Sequence, residues 1–131
     1  GVFTLLLILL IVVVDDDDLV RGVITGMLSQ LGAEVVGEAE NGEQAVQVFK
    51  ECNPDITFLD IQLPIKSGTD ALKEILEINA QAVVVMLTAS ADMDIADECM
   101  ELGAQEYIRK GANPDVLVMM LEGALNTYKS S

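Results

Sequence analysis

Residues 55–68, DITFLDIQLPIKSG, decide how this chain is read. The short apolar run Ile56 to Leu59 has the character of a strand buried on both faces, and Asp60 stands at its end. Pro64 and Gly68 follow four and eight residues after Asp60. Open parallel sheets carry their chemistry at the carboxyl ends of the strands, which makes Asp60 the candidate reactive residue. A lone Asp after a strand equally starts a turn or caps a helix, so the decision rests on what the rest of the chain places beside it.

Upstream, Ile8 to Val14 is a β-branched-rich run suited to a central parallel strand, and it stops at Asp15-Asp16-Asp17-Asp18. Leu19 to Leu31 follows, with Val20, Val23, Ile24, Met27, Leu28 and Leu31 at helical spacing and Gly32 as the stop. Glu34 to Glu40 alternates weakly, as a short edge strand does. Asn41-Gly42 then opens a second helix with Ala45, Val48, Phe49 and Cys52 on one face, ended by Asn53-Pro54.

Downstream, Thr69 to Asn79 supplies another amphipathic helix through Ala71, Leu72, Ile75, Leu76 and Ile78. The strand Ala82 to Leu87 runs into Thr88-Ala89-Ser90, and a helix from about Asp92 to Leu102 ends at Gly103. Glu106 to Arg109 is a short strand leading to Lys110-Gly111. Asn113-Pro114 starts the last helix, and the final residues 129–131 read as frayed. Five strands alternating with five helices require crossover connections, hence an α/β fold with a parallel sheet covered on both faces.

With 131 residues, the expectation is one domain over 1–131 with a core that needs no staples. Cys52 and Cys99 are too few for a disulfide framework, and with no His there is no zinc site to complete. A reducing, cytoplasmic setting follows. Acidic residues outnumber basic ones 22 to 7, a net charge of −15, which disfavours direct nucleic-acid binding and anionic membrane surfaces. Cations and basic protein surfaces are the partners this charge favours.

The run Val2 to Val14 is thirteen residues, apolar apart from Thr4. That falls short of the roughly twenty needed to span a bilayer, and no basic start or cleavage site marks a signal peptide. Its second half reads as the first strand. Residues 1–7 form an apolar extension for which extra strand length, a packed arm and an expression artefact all stay open.

Four strands thus end in chemically active groups: Asp15 and Asp16, Asp60, Thr88 and Lys110. In a parallel sheet these ends share one edge, and crowded carboxylates there raise one another's pKa unless a cation compensates. Magnesium suits such a site, since it takes one or two carboxylates, waters and a phosphate oxygen. A hydroxyl and an ammonium opposite the carboxylates are what a phosphoryl group needs, so the set points to phosphoryl transfer onto a carboxylate.

Four segments, VVVDDDDLVR (12–21), FLDIQLPIKSG (58–68), MLTAS (86–90) and YIRKG (107–111), together resemble response-regulator receiver domains, the CheY-like family, over residues 8–129. The separations fit as well: 45 residues from Asp15 to Asp60, 28 to Thr88 and 22 more to Lys110. The resemblance implies sheet order 2-1-3-4-5, flavodoxin-like, and a two-component signalling switch. It makes Asp60 the phosphoacceptor. Asp16 is then the direct Mg2+ ligand, Asp15 its water-bridged partner, and the backbone carbonyl of Gln62 a further ligand. Thr88 matches the hydroxyl that moves to the phosphoryl group, Lys110 the ammonium that pairs with it, and Tyr107 the aromatic that turns inward and alters the surface of helix four, strand five and helix five.

The implied partners are a sensor histidine kinase or phosphotransfer protein, a downstream protein target or an output domain, and a second copy of the chain on phosphorylation. Such a domain catalyses its own phosphorylation and dephosphorylation but acts mainly as a switch. Gln62 and Ser90 match variable positions that tune how long the phosphoryl group lasts. Lys110-Gly111 replaces the Lys-Pro of many receivers, so no cis peptide is implied there. Asp17 and Asp18 extend the acidic pair, with Asp18 a candidate cap of the first helix. A stand-alone protein and a piece of a longer regulator are both compatible with this sequence.

Duller readings exist for each residue: a solvated acidic turn for Asp15 and Asp16, a cap for Thr88, a surface lysine for Lys110, an ordinary half-buried aromatic for Tyr107. Cys52, Cys99 and the methionines read as packing. A different enzyme class, the haloacid-dehalogenase-type phosphatases, shares the order Asp15-x-Asp17, Thr88, Lys110 with Asp15 as nucleophile. Against it, no acidic pair follows Lys110 at a strand end in this sequence, 131 residues leave no room for a substrate cap, and Asp60, Pro64 and Gly68 are left without purpose. A pseudo-receiver that never takes phosphate is the binding-module alternative, yet neither the acidic pair nor the lysine is missing.

Overall fold

Apolar strands that must bury both faces pair side by side under helices, and the computed structural model, which describes residues 7–131, has that arrangement. The strands are β1 (Leu10–Val14), β2 (Glu34–Ala39), β3 (Ile56–Asp60), β4 (Val83–Thr88) and β5 (Glu106–Arg109). They form one parallel sheet in the order β2-β1-β3-β4-β5. The helices between and after them are α1 (Asp18–Gln30), α2 (Gly42–Cys52), α3 (Gly68–Ile78), α4 (Met93–Leu102) and α5 (Pro114–Lys129), with a single 3-10 turn at Ser90–Asp92.

Alternation along each strand sends side chains to two cores. Val12, Val14, Leu59, Val84 and Met86 pack with Phe49 of α2, Leu72 and Ile75 of α3, and Cys99 of α4. Ile11, Val13, Phe58, Val85, Leu87 and Ile108 pack with Ile24 and Leu28 of α1 and with Leu117, Leu121 and Leu125 of α5. Helices α1 and α3, which follow neighbouring strands β1 and β3, therefore lie on opposite faces. That divergence opens a crevice at the carboxyl edge between β1 and β3, the switch point of a doubly wound sheet.

Local signals in the sequence set most of the boundaries. Asn41 caps α2 through Gln44 N, Ser67 caps α3 through Asp70 N, and Asn113 caps α5 through Asp115 N with Pro114 in the first turn. Asn53 ends α2 in the left-handed region at φ 44°. Two expectations need correction. The first strand begins at Leu10 rather than Ile8, because Ile8 is exposed and the Leu10 amide is already held by the Asp55 carboxylate at 2.8 Å. The cap of α1 is Asp17, not Asp18: Asp17 takes the Leu19 and Val20 amides, while Asp18 lies in the first turn. The reason is the bend after β1, where the Asp17 amide turns back onto Asp15 Oδ1 at 2.9 Å and leaves Asp17 as the last extended residue before the helix. Peptide bonds among the described residues, Lys110-Gly111 included, are all trans.

The options for the apolar extension fall on residues 1–6, outside the described residues; Leu7 is exposed and belongs to no strand. No helix among the described residues is long and apolar enough to cross a membrane.

Candidate functional site

Chain geometry at the end of β3 comes first, because it holds Asp60. After Asp60 the loop folds tightly: Ile65 has φ 70° and the Lys66 amide bonds the Pro64 carbonyl at 2.7 Å, a three-residue turn of the strained kind. The chain then doubles back so that the Gly68 amide meets the Ile61 carbonyl at 2.8 Å. A Cβ on Gly68 would stand 2.0 Å from the Asp60 carbonyl oxygen, so only glycine lets α3 start this close to the strand end. Pro64 and Gly68, quoted at the outset for their spacing, are thus the pieces that fold α3 against Asp60.

Strand pairing then assembles the charges. Val14 pairs with Leu59, so Asp15 and Asp60 leave adjacent strands side by side. Lys110 follows β5, its amide fixed to the Thr88 carbonyl at 2.9 Å, and its side chain crosses β4 to reach both acids. Lys110 Nζ donates to Asp60 Oδ2 at 2.9 Å and to Asp15 Oδ2 at 3.1 Å. Asp15 is fully buried and Asp60 nearly so, whereas Asp16 is exposed. One carboxylate oxygen from each of Asp15, Asp16 and Asp60 lies within 4.8 Å of the other two.

The electrostatics follow from that crowding. Burial pushes the Asp60 carboxyl up to about 6, with Lys110 opposing and the charges of Asp15 and Asp16 adding to it. Burial alone would lower the Lys110 ammonium, but its hydrogen bonds to Asp60 and Asp15 and their attraction more than offset this and raise it. Three carboxylates against one ammonium leave the pocket net negative, and all its donors are hard oxygens, which fits a hard divalent cation.

The two carboxylates are used differently. Asp15 has one oxygen on the Asp17 amide and the other on Lys110. Asp60 has Oδ2 on Lys110, and its Oδ1 accepts no hydrogen bond among the described residues.

The remaining residues fall into two groups. Thr88 is fully buried on the strand next to β3, with its hydroxyl turned onto the Ala89 carbonyl at 2.9 Å rather than toward Asp60. Gln62 is exposed; its side-chain amide donates to Asp92 Oδ1 at 3.1 Å, and its carbonyl accepts no hydrogen bond among the described residues. Tyr107 pairs with Met86 across β4 and β5 and is half-buried against the face that carries α2, α3 and α4. Sequence reasoning gave no role to Arg21, whose guanidinium bonds the Asp15 carbonyl at 2.7 Å. Its only trace was the last letter of the first quoted segment.

A family model of the response regulator receiver domain matches residues 11–122. The chain belongs to that family. As a receiver domain it is 39% identical over 107 residues to the chemotaxis protein CheY of Bacillus subtilis (strain 168), covering 82% of this chain and 89% of that protein. Among solved structures, the response regulator domain of Thermotoga maritima CheB superposes with a TM-score of 0.83 at 29% identity, over 94% of this chain and 98% of that one. A chain of the CheX–CheY–BeF3–Mg complex of Borrelia burgdorferi gives 0.81 at 26% identity, over 89% of each. The chain is therefore a receiver domain of the kind found in two-component response regulators. The phosphatase reading with Asp15 as nucleophile is not favoured, and the geometry counts the same way, since both Asp15 oxygens are engaged.

Proposed function

We propose that residues 1–131 act as one receiver domain that takes a phosphoryl group on Asp60 from a sensor histidine kinase or a phosphotransfer protein. One observation carries the reading: Asp60 has one carboxylate oxygen held by Lys110 and the other without a hydrogen bond among the described residues, beside two further acids. The free Oδ1 attacks the phosphorus of a phosphohistidine, the P–N bond breaks, and the imidazole leaves with the electron pair. The product is an acyl phosphate on Asp60. Lys110, already between the two acids, pairs with a phosphoryl oxygen and offsets its charge.

Asp16 directly, Asp15 through water, Asp60, and the backbone carbonyl of Gln62 are the groups that would hold Mg2+. When bound, that ion supplies positive charge opposite the carboxylates and the phosphoryl oxygens. The Thr88 hydroxyl leaves the Ala89 carbonyl for a phosphoryl oxygen, Tyr107 turns inward behind it, and the surface of α4, β5 and α5 changes. Binding thus shifts a two-state loop. Downstream, that surface meets a protein target or an output domain, or a second copy of the chain. Neither nucleic acid nor membrane is a direct partner of so acidic a domain, and the cytoplasm is where its phosphodonors work.

Intact-mass measurement after incubation with a small acyl phosphate and Mg2+, followed by peptide mapping, tests this. A single hydroxylamine-sensitive phosphoryl group on Asp60 is expected. Label on Asp15 instead would return the phosphatase reading.

A further inference from the structure

Four consecutive aspartates after β1 place a run of like charge on the loop that must present Asp15 and Asp16 to one point. Like charges at adjacent positions repel, and although the Asp15 and Asp17 side chains hold backbone amides of the loop and of α1, neither holds the Asp15 carbonyl. The Arg21 guanidinium lies behind this loop, its side chain 17% exposed. Nη1 donates to the Asp15 carbonyl at 2.7 Å, Nη2 to Asp18 Oδ1 at 2.6 Å, and Nε to Glu38 Oε1 at 3.1 Å. One planar fork therefore ties together the strand end, the first turn of α1 and the neighbouring strand β2, a span that a single ammonium does not reproduce. Arg21 makes no hydrogen bond to the carboxylate oxygens of Asp15, Asp16 or Asp60. It acts on the backbone that joins Asp15 to Asp16.

We propose that Arg21 is a positioning residue of the acidic pocket: by holding the Asp15 carbonyl against α1 and β2 it fixes the directions in which Asp15 and Asp16 present their carboxylates to a divalent cation. The inference rests on the reading above that the pocket takes Mg2+. It also has a sign that simple charge does not share. As a nearby positive charge, Arg21 opposes cation binding, so on electrostatics alone its removal tightens Mg2+. As a positioning residue, its removal weakens Mg2+, by about 10-fold if it behaves as outer contacts of metal sites commonly do.

Isothermal titration with magnesium chloride on the wild type, Arg21→Ala and Arg21→Lys separates these outcomes, with the unfolding midpoint in EDTA and the circular dichroism recorded for each. Expected is a weaker dissociation constant in both variants, larger in Arg21→Ala, at a temperature where each is folded. Arg21→Lys keeps the charge and decides the matter if Arg21→Ala fails to fold. Unchanged affinity in Arg21→Lys, or tighter binding in a folded Arg21→Ala, overturns the inference while leaving the pocket's function intact. No Mg2+ binding by the wild type overturns both.

Discussion

Gly68 approaches the end of β3 so closely that a Cβ on it would lie 2.0 Å from the carbonyl oxygen of Asp60. Position eight after Asp60 is therefore a backbone requirement of the site rather than a loose turn preference. Gly68→Ala should push the start of α3 away from Asp60 and destabilise the domain by about 1–3 kcal/mol, the usual cost of overpacking. Urea unfolding measures the loss, and labelling of Asp60 by a small acyl phosphate should slow with it.

Asp60 itself is held at a cost. Its carboxyl is pushed up to about 6 by burial and by its acidic neighbours, from the ordinary aspartate value of 3.8 that stands for the unfolded chain. A folded pKa above the unfolded one contributes stability that is fully present below the unfolded value and lost as pH rises through the folded value. Without metal, Asp60→Asn should therefore be the more stable protein at neutral pH, by up to about 3 kcal/mol, with the difference vanishing as pH falls from 6 toward 4. Thermal midpoints of the two proteins in EDTA across that range check the sign, and added Mg2+ should narrow the gap by favouring the wild type.

Lys110 is the cation hydrogen-bonded to Asp15 and Asp60. Lys110→Met leaves both acids buried without compensation, a change of the kind that costs about 3–5 kcal/mol before Asp60 relieves part of it by protonation. In EDTA its midpoint should fall well below the wild type's. Mg2+ should raise it by more than it raises the wild type, because more negative charge is left for the ion to offset.

The Thr88 hydroxyl bonds the neighbouring Ala89 carbonyl in this state. Thr88→Val should cost about 1 kcal/mol for that bond, still accept phosphate on Asp60, and fail to pass the change on. Proton NMR of the Tyr107 ring reports this: its environment should shift on phosphorylation in the wild type and stay put in the variant.

Away from the pocket, the Tyr128 hydroxyl donates to Asp55 Oδ1 at 3.1 Å while Asp55 Oδ2 holds the Leu10 amide, which clamps the end of α5 to the base of the sheet. Tyr128→Phe should lose about 1 kcal/mol of stability and leave labelling of Asp60 unchanged. Paired urea-unfolding and labelling measurements test both halves.

Much of this was legible in the sequence because it is carried by local signals. Strand runs such as Ile56 to Leu59, caps such as Asn41 and Asn113, and the stops at Gly32 and Gly103 report themselves to their near neighbours. The convergence of Asp15, Asp60 and Lys110 was legible too, since parallel strands put their carboxyl ends on one edge. What escaped depends on contacts between elements. Asp55 occupying the Leu10 amide shortened β1 from the base of the sheet, and no local pattern announces a bond 45 residues away. Asp17 displaced Asp18 as cap because Asp15 bends the chain back, which four identical letters conceal. Arg21 stayed unread because, besides its near neighbour Asp18, its partners are the Asp15 backbone carbonyl and Glu38 on β2, which no spacing in the sequence announces.

The central claim is that Asp60 is the phosphoacceptor and that Asp15 is not. Mass spectrometry of the wild type, Asp60→Asn and Asp15→Asn after exposure to a small acyl phosphate with Mg2+ tests it most directly. One phosphoryl group on the wild type, a slowed but detectable gain in Asp15→Asn, and none in Asp60→Asn is the expected result. Undiminished label in Asp60→Asn, or its loss in Asp15→Asn alone, would contradict the account.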